Sequence, residues 1–168
     1  MFSILNRFKK KLISFDELRE FLDNVPNINR GGCGVSAYSM YCLLEKQKQL
    51  KPDTRIIYIH RKIWGDYSTN KWFLDNQEGN ADSASHVILF HDGYYLDSSE
   101  EFTNLSTLID VFFTGDKESE FDILDIPQQL THIFMKSSLE NGSWNDSFDT
   151  KNIEVIENKL GFKLNIEM

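Results

Sequence analysis

The run His86-Val-Ile-Leu-Phe-His91, Asp92-Gly93, Tyr94-Tyr-Leu-Asp97 constrains the fold more than any other part of the chain. Two apolar segments flank an Asp-Gly pair, the strongest local signal for a hairpin with a two-residue turn. Such a turn fixes the register, so that residue 88 faces 97 and residue 86 faces 99. Side chains alternate along a strand. His86, Ile88, Phe90, Tyr95, Asp97 and Ser99 therefore share one face, and Leu89, His91 and Leu96 take the other. An antiparallel sheet follows, with an imidazole and a carboxylate as diagonal neighbours on it. A slip of one residue would put them on opposite faces.

Helical patterns precede this hairpin. Ser14-Phe15-Asp16-Glu17 has the form of a capping box, and Phe15, Leu18, Phe21, Leu22 and Val25 follow at helical spacing up to Pro26. An irregular stretch, Asn27 to Gly32, leads into a second helix from about Cys33 to Lys48. Pro52-Asp53 marks a turn, and Arg55 to His60 is a β-branched strand. Residues 61–84 are polar apart from Trp64, Tyr67, Trp72, Phe73 and Leu74, which predicts a long loop facing a substrate. Beyond the hairpin, Leu105–Phe113 is helical, Phe121–Ile126 is a strand, and Gln128–Leu139 fits neither pattern. Asp149 or Thr150 caps a last helix that ends at Leu160 before Gly161. At 168 residues the expectation is one α+β domain over 1–168. In it a helical part packs on a mostly antiparallel sheet.

Composition excludes several functions. The chain has 26 acidic and 18 basic side chains, a net charge of −8, which opposes the phosphate neutralisation that nucleic-acid binding needs. Two cysteines are too few for a disulfide-dense scaffold or a four-cysteine zinc site. There is no C-x-x-C or H-E-x-x-H, and the four histidines are scattered, so no metal is expected, and no cofactor is expected where side chains and backbone amides suffice for the chemistry. No stretch reaches the roughly 18 apolar residues of a membrane span. At the start, Phe2, Ile4, Leu5 and Phe8 are interrupted by Arg7 and Lys9 to Lys11, unlike a secretory signal. A membrane-surface or transit segment is the alternative there. The expected location is a reducing cytoplasm, and an Asn-rich, Lys-over-Arg composition suits a bacterial or phage source.

Chemistry concentrates in Arg30-Gly-Gly-Cys-Gly-Val-Ser-Ala-Tyr38. Three glycines crowd one cysteine where a helix begins, and glycine permits close approach of another backbone or a substrate. A cysteine in a first helical turn sits among unpaired N–H groups at the positive end of the dipole, which favours thiolate. The bland alternative is a small residue packed beneath a glycine-rich turn. With the hairpin, Cys33 becomes a nucleophile, His86 its base and Asp97 the group that orients the ring. His60 and His132 are alternative bases without an equally placed acid, and His91 is structural or exposed. Cys42 lies about two and a half turns along the same helix, pointing away from Cys33, and is expected in the core.

These segments resemble the papain-like cysteine peptidase superfamily in its broad sense, with the transglutaminase-like and NlpC/P60-like branches. The matching positions are Gly31-Gly-Cys33-Gly-Val-Ser-Ala37, Ser85-His86-Val-Ile-Leu89 and Tyr94-Tyr-Leu-Asp97, within residues 27–99. Asp-Gly-Tyr-Tyr-Leu-Asp is similar to the transglutaminase-type hairpin, and Arg30-Gly-Gly is similar to arylamine N-acetyltransferases. The Cys-Trp pair of papain and the Asp-Cys-Ser-Gly of NlpC/P60 are absent. The resemblance implies a papain-like core and a further oxyanion donor upstream of the nucleophile. The candidates are Asn27, Asn29, Arg30 and Gly32, beside the Cys33 amide, with turn chemistry after Pro26 as the alternative for the asparagines. It implies a hydrolase cutting peptide or amide bonds of a peptide or protein substrate through a thioester. Acyl transfer on the same triad is an alternative. A third expectation is an inactive interaction module anchored by Trp64, Trp72 and Trp144. The remaining C-terminal residues complete the core or cover the cleft.

Overall fold

The computed structural model describes residues 11–141 and 147–167. The basic-apolar start up to Lys10, and Trp144, lie outside them. Five strands form one sheet in the order β4-β3-β2-β1-β5, with every neighbour antiparallel. The strands are β1 (Arg55–Arg61), β2 (His86–His91), β3 (Tyr94–Leu96), β4 (Glu101–Phe102) and β5 (Phe121–Ile126). The helices are α1 (Phe15–Asp23), α2 (Cys33–Lys46), α3 (Asp66–Asn76), α4 (Leu105–Phe112), α5 (Thr131–Glu140) and α6 (Lys151–Leu160). The protein is thus α+β, a helical assembly on an antiparallel sheet.

The hairpin has the expected register, with Leu89 facing Leu96 and His91 facing Tyr94. Asp92 and Gly93 both take left-handed φ, 53° and 85°, as the two-residue turn requires. The Ser14 capping box is present in both directions and starts α1.

The sheet divides the interior in two. Ile56, Tyr58, Val87, Leu89, Leu124 and Ile126 face the larger cluster, with residues of α1, α2, α3, α5 and α6. Ile57, Ile59, Ile88 and Phe121 face a smaller one capped by Leu108 and Ile109 of α4. α2 runs through the middle of the larger cluster, buried at every residue from Cys33 to Leu44. Apolar side chains all round make such a helix unstable on a surface, and each large one removed from water contributes roughly 1.5–3 kcal/mol.

The expected loop at 61–84 instead contains a short 3₁₀ turn, Lys62–Trp64, and then α3. The buried face of α3 pairs Phe73 with Asn70, a polar residue that breaks the apolar period. Asn70 is accommodated because its amide donates to the Asp82 and Ser83 carbonyls and its Oδ1 accepts from the Asp82 amide. Trp64 and Trp72 are exposed. Residues 128–139 resolve into α5, preceded by a 3₁₀ turn. Among the described residues no helix is long and apolar enough to cross a membrane.

Candidate functional site

The site forms where β3 ends. A two-residue hairpin closes on a hydrogen-bonded pair, here His91 and Tyr94, so odd-numbered residues of β2 aim their amides toward β3. β3 stops at Leu96, opposite Leu89. The Val87 amide therefore lies beyond the last paired residue of β3, where it acts on the Cys33 thiol. Gly32 precedes α2 without a side-chain cap, leaving first-turn amides for the same sulfur. A Cβ on Gly32 would sit 2.6 Å from Phe148 Cδ2 and 3.0 Å from Ile28 Cα, so this close-packed entry admits only glycine.

Burial pushes the Cys33 thiol up. The amides of Val87, Gly34 and Cys33 act against that, and the charge of Asp97 acts with it. The expected amide environment is present, but the net direction is the reverse of the thiolate expectation, because desolvation outweighs three backbone dipoles. The direction favours the protonated thiol.

Asp97 follows β3 directly, and its Oδ1 organises the next turn. It accepts from the Ser99 amide at 2.8 Å, the Ser99 hydroxyl at 3.2 Å and the Glu100 amide at 2.7 Å. Its other oxygen, Oδ2, is buried without a partner. Arg19 of α1 holds this turn from outside, with Nε donating to the Asp97 carbonyl at 3.0 Å and Nη2 to the Glu100 carbonyl at 2.8 Å.

His86 opens β2 and is 3% exposed, as is Asp97. Its ring lies on Phe112 of α4, centroids 4.2 Å apart and 32° between planes. Burial lowers its pKa to about 4, with the Asp97 charge pulling the other way. Nε2 is buried without a hydrogen-bond partner. Alternation along β2 keeps the ring on the α4 side, whereas Cys33 arrives with α2 from the other side. Cys33 meets β2 at Val87, and the His86 ring lies on the opposite face of the strand. No hydrogen bond joins Cys33, His86 and Asp97 to one another.

The expected upstream donors are engaged elsewhere. Asn27, at φ 58°, donates to the Ser147 carbonyl at 2.6 Å. Asn29 exchanges two hydrogen bonds with the Ser98 hydroxyl, at 2.9 and 3.2 Å. The Gly32 amide donates to the Asn27 carbonyl at 3.3 Å. Arg30 is exposed. The amides that reach the sulfur are those of Cys33, Gly34 and Val87. Asn29 and Ser98 instead tie the segment before the nucleophile to the segment after Asp97, a link between side chains 69 residues apart that no local pattern announces. Phe112, Arg19 and Ser98 were likewise absent from the sequence expectation.

The remaining histidines are placed apart. His60 of β1 is buried, its pKa lowered by burial to about 4, with Nε2 3.4 Å from Asn70 Nδ2. His91 Nδ1 is 2.7 Å from the Thr54 hydroxyl, a structural role. His132 of α5 binds Tyr38 and Glu45. Cys42 is a free, buried thiol. Among the described residues no three His, Cys, Asp or Glu side chains converge as metal ligands would. Neither protein-family models, nor curated proteins, nor solved structures give a match to this chain.

Proposed function

We propose that this chain is a small thiol hydrolase of papain-like construction that cleaves peptide or amide bonds, with Cys33 as nucleophile, His86 as base and Asp97 as the group that orients it. One observation carries this: His86 Nε2 and Asp97 Oδ2 are both buried without partners, and the Asp97 charge bears on the Cys33 thiol and the His86 ring alike. An unmet buried polar atom costs about 1–3 kcal/mol. Two of them linked through one carboxylate charge suit groups that acquire partners only during a reaction.

The resting protonation states suit the first step. A neutral imidazole is the form that accepts a proton, and the thiol has one to give. Transfer leaves a thiolate facing three amides and an imidazolium beside a carboxylate. After attack on a carbonyl carbon the sulfur carries the acyl group, the leaving amine takes the proton from His86, and first-turn amides of α2 face the oxyanion. Water then releases the acid; an amine in its place would give acyl transfer. One rearrangement is required: the His86 ring leaves Phe112 and turns to the β2 edge where the sulfur lies.

The closed burial of all three groups favours a second reading, a non-catalytic interaction module on the same scaffold. Alkylation by iodoacetamide of the full chain at pH 7, mapped by peptide mass, separates them. The hydrolase requires Cys33 to react at least about tenfold faster than Cys42, and His86→Ala to remove that advantage. It further requires cleavage of a peptide library by the wild type and none by Cys33→Ala. A Cys33 that is modified only on unfolding overturns the hydrolase.

A further inference from the structure

Further along α2 a second polar cluster opens to solvent. Cys42 lies roughly 13 Å along the helix axis from Cys33, where α5 and the chain after α6 close on α2. Together they line a groove of about 290 Å³, floored by Tyr38 and Cys42 and rimmed by Lys46, Lys136 and Phe162.

The inward groups are joined in series. Cys42 lies one helical turn beyond Tyr38 on the same groove floor. Tyr38 Oη is 2.9 Å from His132 Nδ1, and His132 Nε2 is 2.9 Å from both oxygens of Glu45. The carboxylate sets the tautomer: Nε2–H donates to Glu45, and Nδ1 accepts from the tyrosine hydroxyl. Tyr38 is 1% exposed, so the floor is built and satisfied. Burial holds the Cys42 thiol up at about 12, which leaves it no nucleophile.

The rim is different. Lys51, Lys62, Lys71 and Lys163 each face a carboxylate within 4.0 Å. Among the described residues seven lysines face none, and of these Lys46 and Lys136 are the two that line this groove. Both cations act on Cys42 from the same groove. The Lys46 ammonium stands 5.6 Å over the Phe162 ring, so an apolar surface adjoins the charge. The one carboxylate in the groove, Glu45, is taken up by His132. In a chain of net charge −8 this is a local surplus of positive charge beside a flat ring.

We propose that this groove binds a phosphate monoester, its dianion between Lys46 and Lys136 and its organic part on Phe162. Lysine ammonium groups act as point charges on phosphate, and two of them match a dianion. The site is independent of the chemistry at Cys33.

Calorimetric titration of the full chain at pH 7 and low salt, where screening is weak, tests this with phenyl phosphate, inorganic phosphate and benzoate. Phenyl phosphate should bind saturably, one per chain, and move the His132 and Phe162 ring resonances. Lys46→Gln with Lys136→Gln should weaken it at least about tenfold, or 1.4 kcal/mol. Lys51→Gln should not change it. Unligated melting at the wild-type temperature verifies that the double variant is folded. Equal binding by the double variant, or no saturation by about 10 mM, overturns the site. Inorganic phosphate binding as tightly as phenyl phosphate overturns the role of Phe162, and benzoate binding as tightly overturns the dianion.

Discussion

α2 carries both cysteines, and the polar groups around them are treated in opposite ways. Around Cys42 the polar side chains are paired: phenol to imidazole, imidazole to carboxylate. Around Cys33 the imidazole and the carboxylate each keep one buried atom unmet. Both arrangements hold a Cys, a His and an acid, so the residue list does not separate them. What separates them is satisfaction. A completed hydrogen-bond chain stabilises one geometry. An incomplete one in the interior lowers stability and is ready to bind a proton or a reacting group.

The contrast is broken most readily by acid. His86 and His60 are buried neutral, each lowered to about 4. Below the ordinary histidine value near 6.5 the unfolded chain binds protons that the folded one refuses, so stability is full above about pH 6.5 and falls as pH drops toward 4. Each group should remove about 1.4 kcal/mol per pH unit over that window. Urea midpoints from pH 7 to 4.5 measure it, and His86→Gln should take away the His86 share of the slope. An unchanged slope in that variant would mean that the ring is not held neutral.

Next in size is Asp97→Ala, which strips three hydrogen bonds from the turn after β3. Bonds to a carboxylate are the stronger kind, and a loss of about 2–4 kcal/mol is expected. Asp97→Asn keeps an acceptor at Oδ1 and should stay within about 1 kcal/mol of the wild type, while His86, without its anion, falls lower still by NMR titration. Equal losses in the two variants would remove the turn from the account of this site.

Local chemistry made the hairpin legible in the sequence. Asp92-Gly93 specifies its turn and register, and the glycine run before Cys33 specifies a helix start with free amides. What the sequence hid is where a polar side chain occupies a core position. Asn70 in α3 and Thr131 and Ser138 in α5 interrupt the apolar period, because each binds a backbone carbonyl from inside: Asn70 those of Asp82 and Ser83, Thr131 that of Pro127, Ser138 that of Asp82. A helix whose buried stripe contains such residues reads as a loop, as α3 does, or fits neither pattern, as α5 does. The upstream asparagines misled for a related reason. Asparagine serves turns and loop ties as readily as oxyanions, and only the fold shows that Asn29 answers Ser98. The stacking of Phe112 on His86 joins two elements with no sequence signal between them.

Swapping each histidine for leucine compares the two clusters directly. His132→Leu leaves the buried Tyr38 hydroxyl without its acceptor and should cost about 1–3 kcal/mol. His86→Leu removes an unmet atom and keeps contact with Phe112, so its stability should be unchanged or higher by up to about 1 kcal/mol. Equilibrium unfolding in urea at pH 7 measures both, and equal losses would erase the distinction.

The smallest effect sharpens the comparison instead. Arg19→Met keeps the apolar stem but removes the two donors that hold the Asp97 and Glu100 carbonyls. Its ion pair with Glu101, whose side chain is 61% exposed, adds little. Global stability should fall by only about 1 kcal/mol. Locally the change should be larger: hydrogen exchange at the Ser99 and Glu100 amides, which Asp97 Oδ1 binds, should accelerate several-fold while α2 amides near Cys42 keep their protection. If both regions loosen together, the two cysteines sit in one cooperative unit, and the unmet atoms at Cys33 belong to the same rigid core as the completed chain at Cys42.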